Sequence, residues 1–294
     1  MTQLVQTLVL GLLLGGVYAL AASGLTLVFG VMNVINVAHG AFLVLAAYLT
    51  WTTWQHTGAD PLLLILATTP VMFGVGWVTY QVLVRRLRGA PASMSVLLTF
   101  ALALVIQGIL GLVWNNLYRS TNPPYANHSY HVGSIAIPQA RLYACGIAVA
   151  ILVVLWVVLR RTWLGRAIRA AAQNPQGAQL IGVDIVSVAA FTFALGIATT
   201  GAGGSLISVL YPFFPSTHYQ WISRLLGIIV LGGMGSLGGA FAGALLMGVA
   251  EAITATYISL AWVTAVPYVV IFVVLLLRPR GLLGTATRED VAAA

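Results

Sequence analysis

Lysine is absent from this 294-residue chain: all thirteen basic side chains are arginine. A Walker A nucleotide site needs its lysine to neutralise the β- and γ-phosphates, so the sequence offers no such site. Schiff-base chemistry falls with it. Charge of either sign is scarce, at 6% of residues against 60% hydrophobic, and the mean hydropathy is +1.00. Soluble domains carry about a quarter charged residues. Lipid must therefore solvate most of this surface. Cysteine is nearly missing as well. The single Cys145 lies in an apolar run and makes neither an internal disulfide nor a thiolate metal cluster.

What charge there is sits in patches. Arg85, Arg86 and Arg88 form one cluster, Arg160, Arg161, Arg166 and Arg169 a second, and Arg278, Arg280 and Arg288 a third. Each adjoins an apolar run, so the net charge of +8 reads as membrane topology. Nucleic-acid binding would need those arginines on one solvated face. His56, His128, His131 and His218 fall in stretches expected to be outside and solvated, and none shows the i, i+4 spacing of a zinc helix. Asn127-His128-Ser129 matches a glycosylation triplet. No metal or cofactor is expected.

A hydrocarbon core of about 30 Å takes about 20 apolar residues per helix. Apolar stretches occur at residues 4–29, 41–54, 62–84, 93–114, 142–159, 186–210, 225–234, 240–255 and 260–277. The start of the chain lacks the positive region of a cleavable signal, so the first stretch is expected to remain as a span. The expected fold is an all-α polytopic helical bundle of eight to nine membrane segments with broken helices. It forms a single transmembrane domain over residues 1–294. Placing every arginine cluster inside favours nine crossings, with the N-terminus outside and the C-terminus cytoplasmic. The seventh and eighth stretches are either two short spans or one broken helix.

Two segments look irregular at membrane depth, residues 30–40 with Asn33, Asn36 and His39, and residues 232–239 with five glycines. Each is followed by Gly-Ala-Phe. Paired interruptions of this kind point to a transport path, because non-helical backbone in a bilayer needs protein or a water-filled cavity around it. Close helix packing by small residues is the alternative, favoured more at the second segment. Glu251 is the acidic residue inside an apolar stretch, with His39 as a possible partner or backbone near a helix end as the other. Gln107, Asn115 and Asn116 are candidate interhelical donors.

Residues 160–185 form a loop on the arginine side. Pro175 starts a short helix to Ile181, Asn174 is its N-cap, and Gly182 its C-terminal stop. A two-turn helix is marginal alone, so something must cover Leu180 and Ile181. Contact with another protein is favoured over a lipid-binding face.

The runs Gly24-Leu25-Thr26-Leu27-Val28-Phe29-Gly30-Val31-Met32-Asn33-Val34-Ile35-Asn36-Val37-Ala38-His39-Gly40, Asn174-Pro175 with Leu180-Ile181-Gly182-Val183, Gly232-Gly233-Met234-Gly235-Ser236-Leu237-Gly238-Gly239 and Arg278-Pro279-Arg280-Gly281-Leu282-Leu283-Gly284 occur in this order. Along nearly its whole length the chain resembles permease subunits of branched-chain amino acid ABC importers. That resemblance implies a homologous second permease, two cytoplasmic ATPases and a periplasmic or extracellular solute-binding protein, in a bacterial inner membrane. It also implies that the loop with Arg166, Arg169, Asn174, Pro175, Leu180, Ile181 and Gly182 docks on the ATPase. Arginines stand where such loops usually begin with an acidic residue. The binding protein would be received by outside loops, including residues 116–139 and 211–221. Asn33, Asn36, His39 and Glu251 are the candidate translocation path. Related permeases carry urea, short amides or aromatic acids.

Other classes fare worse. A self-contained secondary transporter or channel would have only Glu251 and His39 for coupling. A serine hydrolase needs a Gly-x-Ser-x-Gly elbow, which Gly235-Ser236 does not complete, and an aspartyl enzyme needs two buried aspartates, whereas Asp60 and Asp184 lie at span ends.

Overall fold

In a computed structural model the chain is described over residues 2–87, 91–278 and 281–283. Arg88, Pro279, Arg280, Gly284 and Arg288 lie outside the described residues. Among the described residues eleven helices dominate: α1 (Thr2–Met32), α2 (His39–Thr57), α3 (Ile65–Val82), α4 (Ala92–Trp114), α5 (Gln139–Arg161), α6 (Trp163–Gln173), α7 (Pro175–Leu180), α8 (Ile185–Leu210), α9 (His218–Gly232), α10 (Leu237–Tyr257) and α11 (Val266–Leu277). One departure from all-α structure is a small antiparallel hairpin, β1 (Ser129–Val132) with β2 (Ile135–Pro138), pairing Tyr130 with Ile137. It lies in the polar stretch between α4 and α5.

The long apolar runs form helices because a helix satisfies its backbone groups internally, as lipid requires. Among the described residues six helical stretches, Thr2–Met32, Ser93–Trp114, Gln139–Arg161, Ile185–Leu210, Leu237–Tyr257 and Leu260–Leu277, are long and apolar enough to cross a membrane. The protein is therefore an all-α multi-pass membrane protein. The stretches at 41–54, 62–84 and 225–234 are not among the six. With 15 residues, α9 reaches only about 22 Å at 1.5 Å per residue, short of a full crossing.

Helices α1 and α8 form the buried centre. Gly24 faces Gly196 and Ala21 faces Gly203, so they run antiparallel, their small residues letting the backbones touch. Gly11 and Gly15 meet Gly248 and Leu245, setting α10 antiparallel to α1 on its other flank. On the far side of α8, α2 runs parallel to it, with Leu43 on Gly204 and Thr50 bonded to Ser205. Helix α3 runs antiparallel to α8, with Gly76 on Ile197 and Tyr80 near Phe193. Gly16 touches Cys145 and Leu27 clusters with Leu155, so α5 is parallel to α1.

These directions gather the ends of α1, α3, α5 and α9 with the beginnings of α8 and α10. Leu27, Leu155, Leu159, Ala167, Ile168, Ala171 and Val188 form a small second core there, under α6. Arg85, Arg86, Arg160, Arg161, Arg166, Arg169 and Arg278 all belong to this arginine-rich end. The backbone N–H groups of Leu282 and Leu283 donate to the carbonyls of Leu231 and Gly232, strapping the tail over the last turn of α9.

Candidate functional site

The two irregular segments are real but shorter than the sequence suggested. Helix α1 continues through Gly30 to Met32, leaving residues 33–38 non-helical, and the second interruption covers only residues 233–236. Asn33 takes the left-handed conformation (φ 52°), which asparagine tolerates better than most residues. Asn36 is fully buried and accepts the N–H of Ala38 at 3.1 Å. Thr99 of α4 closes the break by accepting from Val37 N–H at 3.1 Å while donating to the Ser95 carbonyl at 2.9 Å. Irregular backbone is thus supplied with partners by protein.

Helix α2 begins inside the bundle. Its first residue, His39, is fully buried and hydrogen-bonds Thr200, past the midpoint of α8. Gly40 packs against the backbone at His218 and Ile222, the first turn of α9. Two helices, α2 and α9, therefore start at the same interior level. Lower down, the last turn of α1 meets the second interruption, where Gly30 faces Gly235.

At the second interruption the glycines divide their work. Gly233 (φ 101°) and Gly235 (φ 83°) make the turn, while Gly232 and Gly239 let the backbones meet. Gly227 on Met247 and Ile228 on Gly243 continue that pairing, so α9 and α10 are antiparallel helices, not one broken helix. Ser236 accepts the N–H of Gly239 at 3.1 Å and serves as the α10 N-cap.

Residues 211–217 do not form the solvated outside loop expected for 211–221. Phe213, Thr217, His218 and Trp221 are buried, and residues 211–217 turn back into the bundle to start α9. His218, expected in solvent, is bonded through its ring to Gln107 at 2.8 Å, and Gln107 donates to Ser216 at 3.0 Å. Gln107 is an interhelical donor as expected. His56, His128 and His131 are exposed.

Glu251 does not pair with His39, nor with backbone at a helix end. Its Oε1 takes Arg224 Nε at 2.5 Å and its Oε2 takes the Tyr18 hydroxyl at 2.7 Å. The Tyr18 and Tyr211 hydroxyls lie 3.2 Å apart, and the Arg224 guanidinium stands 4.7 Å from the Trp221 ring and 5.5 Å from that of Tyr18. This charged knot joins α1, α9 and α10. Sequence reasoning grouped arginines by cluster and so passed over Arg224, a lone arginine immediately before the apolar run at 225–234.

At the arginine-rich end, Thr162 caps α6 through Gly165 N–H at 3.1 Å, and Asn174 caps α7 through Gly177 N–H at 3.0 Å. Helix α7 ends at Leu180, one residue early. Val183 N–H reaches back to the Ala178 carbonyl at 3.0 Å, and Gly182 has φ 85°, the six-to-one closure of a glycine-stopped helix. Arg169 donates to the Leu159 carbonyl, fastening α6 to the end of α5. Arg166 points outward. Leu180 and Ile181 are covered by none of the described residues, at 89% and 77% exposed.

Asp60 and Asp184 lie at opposite ends of the bundle. Asp184 caps α8 through Val186 N–H, whereas Asp60 takes Leu62 N–H and the Tyr125 hydroxyl. Burial, then the hydrogen bond to Asp60, raises the Tyr125 phenol well above its usual range.

The family described as branched-chain amino acid transport system / permease component matches residues 7–276. The chain is 28% identical over 297 residues to the high-affinity branched-chain amino acid transport system permease protein LivH of Salmonella typhimurium, covering 96% of each. It is 28% identical over 300 residues to BraD of Pseudomonas aeruginosa, a permease protein of the same description, covering 97% of each. To a probable branched-chain amino acid transport permease of Methanocaldococcus jannaschii it is 25% identical over 280 residues, 90% of this chain and 88% of the relative. No solved structure matches. A match across nearly all of the described bundle, from α1 to α11, places the chain in the family of branched-chain amino acid transport permease components.

Proposed function

We propose that this protein is the transmembrane permease subunit of an ATP-driven importer for branched-chain amino acids, in a bacterial inner membrane. A homologous second permease would complete the pathway, two cytoplasmic ATPases would drive it, and a periplasmic or extracellular solute-binding protein would deliver the substrate. The whole chain, 1–294, acts as a single transmembrane domain, with residues 160–185 as its cytoplasmic coupling loop.

Helix directions favour nine traverses, with the N-terminus outside and the C-terminus cytoplasmic. The second traverse combines residues 33–38 with α2, and the seventh combines residues 211–217 with α9. This arrangement puts every described member of the arginine clusters inside. Broken helices whose starts meet within the bundle are the usual seat of a transport path. Asn33, Asn36, His39 and Glu251 remain its candidate residues.

One observation carries the ATP-driven reading. Helix α7 is capped at both ends, sits at the arginine-rich end, and holds Leu180 and Ile181 in the open. An apolar tip on a rigid two-turn helix is suited to a pocket on a motor subunit, which could then bias the bundle between two states. Arg166, Arg169, Asn174, Pro175 and Gly182 shape that tip. A self-contained secondary transporter would need a buried carboxylate without a fixed partner, whereas Glu251 is already paired with Arg224 and bonded to Tyr18.

The test is reconstitution with the ATPases, permease and binding protein encoded nearby. ATP-dependent uptake of leucine, isoleucine and valine, in preference to urea, short amides or aromatic acids, is expected. Solute uptake by this chain alone, driven by an ion gradient, would overturn the reading.

A further inference from the structure

Arg224 is nine-tenths buried, yet among the described residues only one of its donors has a hydrogen-bond partner. Its Nε bonds Glu251, while neither terminal nitrogen has a hydrogen-bond partner among the described residues. About a tenth of the Arg224 side chain stays accessible, and neither terminal nitrogen is among the fully enclosed unpaired atoms of the described residues. A guanidinium has five N–H donors in a planar fork that fits a carboxylate with two parallel bonds. Lipid is a costly neighbour for such a fork, so a charged side chain at this depth normally faces protein or water.

The surroundings narrow the ligand. Glu251 fixes the guanidinium from one side, Trp221 and Tyr18 flank it, and the Tyr18 hydroxyl holds the other oxygen of Glu251. Arginine and glutamate together are neutral. A bare anion bound at the fork would leave the site with a net negative charge in a medium of low dielectric, whereas a zwitterion adds none. We infer that the free fork of Arg224 is a subsite for the α-carboxylate of a zwitterionic amino acid, with Glu251 as the positioning residue that aims it. This rests on the importer reading above and adds to it where in the bundle the substrate's charged end is recognised.

The experiment uses the full reconstituted importer with leucine-loaded binding protein at saturation, and measures leucine imported per ATP hydrolysed. The neutral double variant Arg224→Gln/Glu251→Gln keeps a hydrogen-bonded pair but has no cation. Its leucine-to-ATP ratio should fall by roughly ten- to hundredfold, the range for losing charge-assisted bonds, while hydrolysis continues. Arg224→Lys, which keeps the charge and loses the fork, should show a smaller drop and covers the case where the double variant does not assemble. An unchanged ratio in either variant, or import and hydrolysis falling together, would overturn the subsite and leave the pair as a structural brace. A wild-type importer that hydrolyses ATP but does not carry leucine would sink the importer reading instead.

Discussion

The His39 imidazole hydrogen-bonds the Thr200 hydroxyl inside the bundle, which ties the first residue of α2 to the middle of the central helix. Neither group meets solvent in the isolated chain. Thr200→Val keeps the shape and removes the partner. Leaving a buried polar group unpaired costs about 1–3 kcal/mol, so the melting temperature in detergent should drop and uptake should weaken. An unaltered melting temperature would show that His39 finds another partner.

Close backbone contact between α1 and α8 gives a second expectation. A Cβ at Gly24 would run into the Gly196 carbonyl and the hydroxyls of Thr199 and Thr200. Gly24→Ala should destabilise by about 1–3 kcal/mol through overpacking, and Gly24→Leu should prevent assembly of the bundle. Thermal unfolding monitored by fluorescence reads both. Gly74, which has open space around it, is the control and should accept alanine.

Sidedness can be read with thiols. Cys145 is the only cysteine, so Cys145→Ser with Leu180→Cys or Ile181→Cys carries one reactive group. A membrane-impermeant maleimide should label it in inside-out vesicles and not in intact cells. Adding the ATPases should then protect it. Labelling from outside would reverse the topology.

The coupling tip separates insertion from drive. Leu180→Asp should leave the protein in the membrane and abolish ATP-coupled uptake. Gly182→Val should do so partially, since its φ of 85° costs a β-branched residue about 1–2 kcal/mol although no atom crowds it. Gly182→Asn should retain most uptake. Equal loss in both variants would mean that the position acts through side-chain space rather than backbone.

Much of the bundle was legible because hydropathy acts locally: the run around Leu142 to Leu159 must be helical wherever it packs. The α7 caps were legible for the same reason, since Asn174, Pro175 and Gly182 act within one turn. Depth was not. Nothing near His218 says that residues 211–217 fold back inward, because that path depends on Gln107 and on Phe213 packing against Tyr48, both remote in sequence. Glu251 showed the same limit. Its carboxylate was visible as a charge in need of a partner, but Arg224 was 27 positions away on another helix, and grouping arginines by their neighbours hid it.

The tail strap over α9 has a practical meaning. The carbonyls of Leu231 and Gly232 sit at a helix terminus, where oxygens would otherwise dangle, and the amides of Leu282 and Leu283 occupy them. Stopping translation after Arg278 would strip that cover, so tags and fusions belong beyond Leu283, and a shortened gene should yield less protein even though every long helix survives.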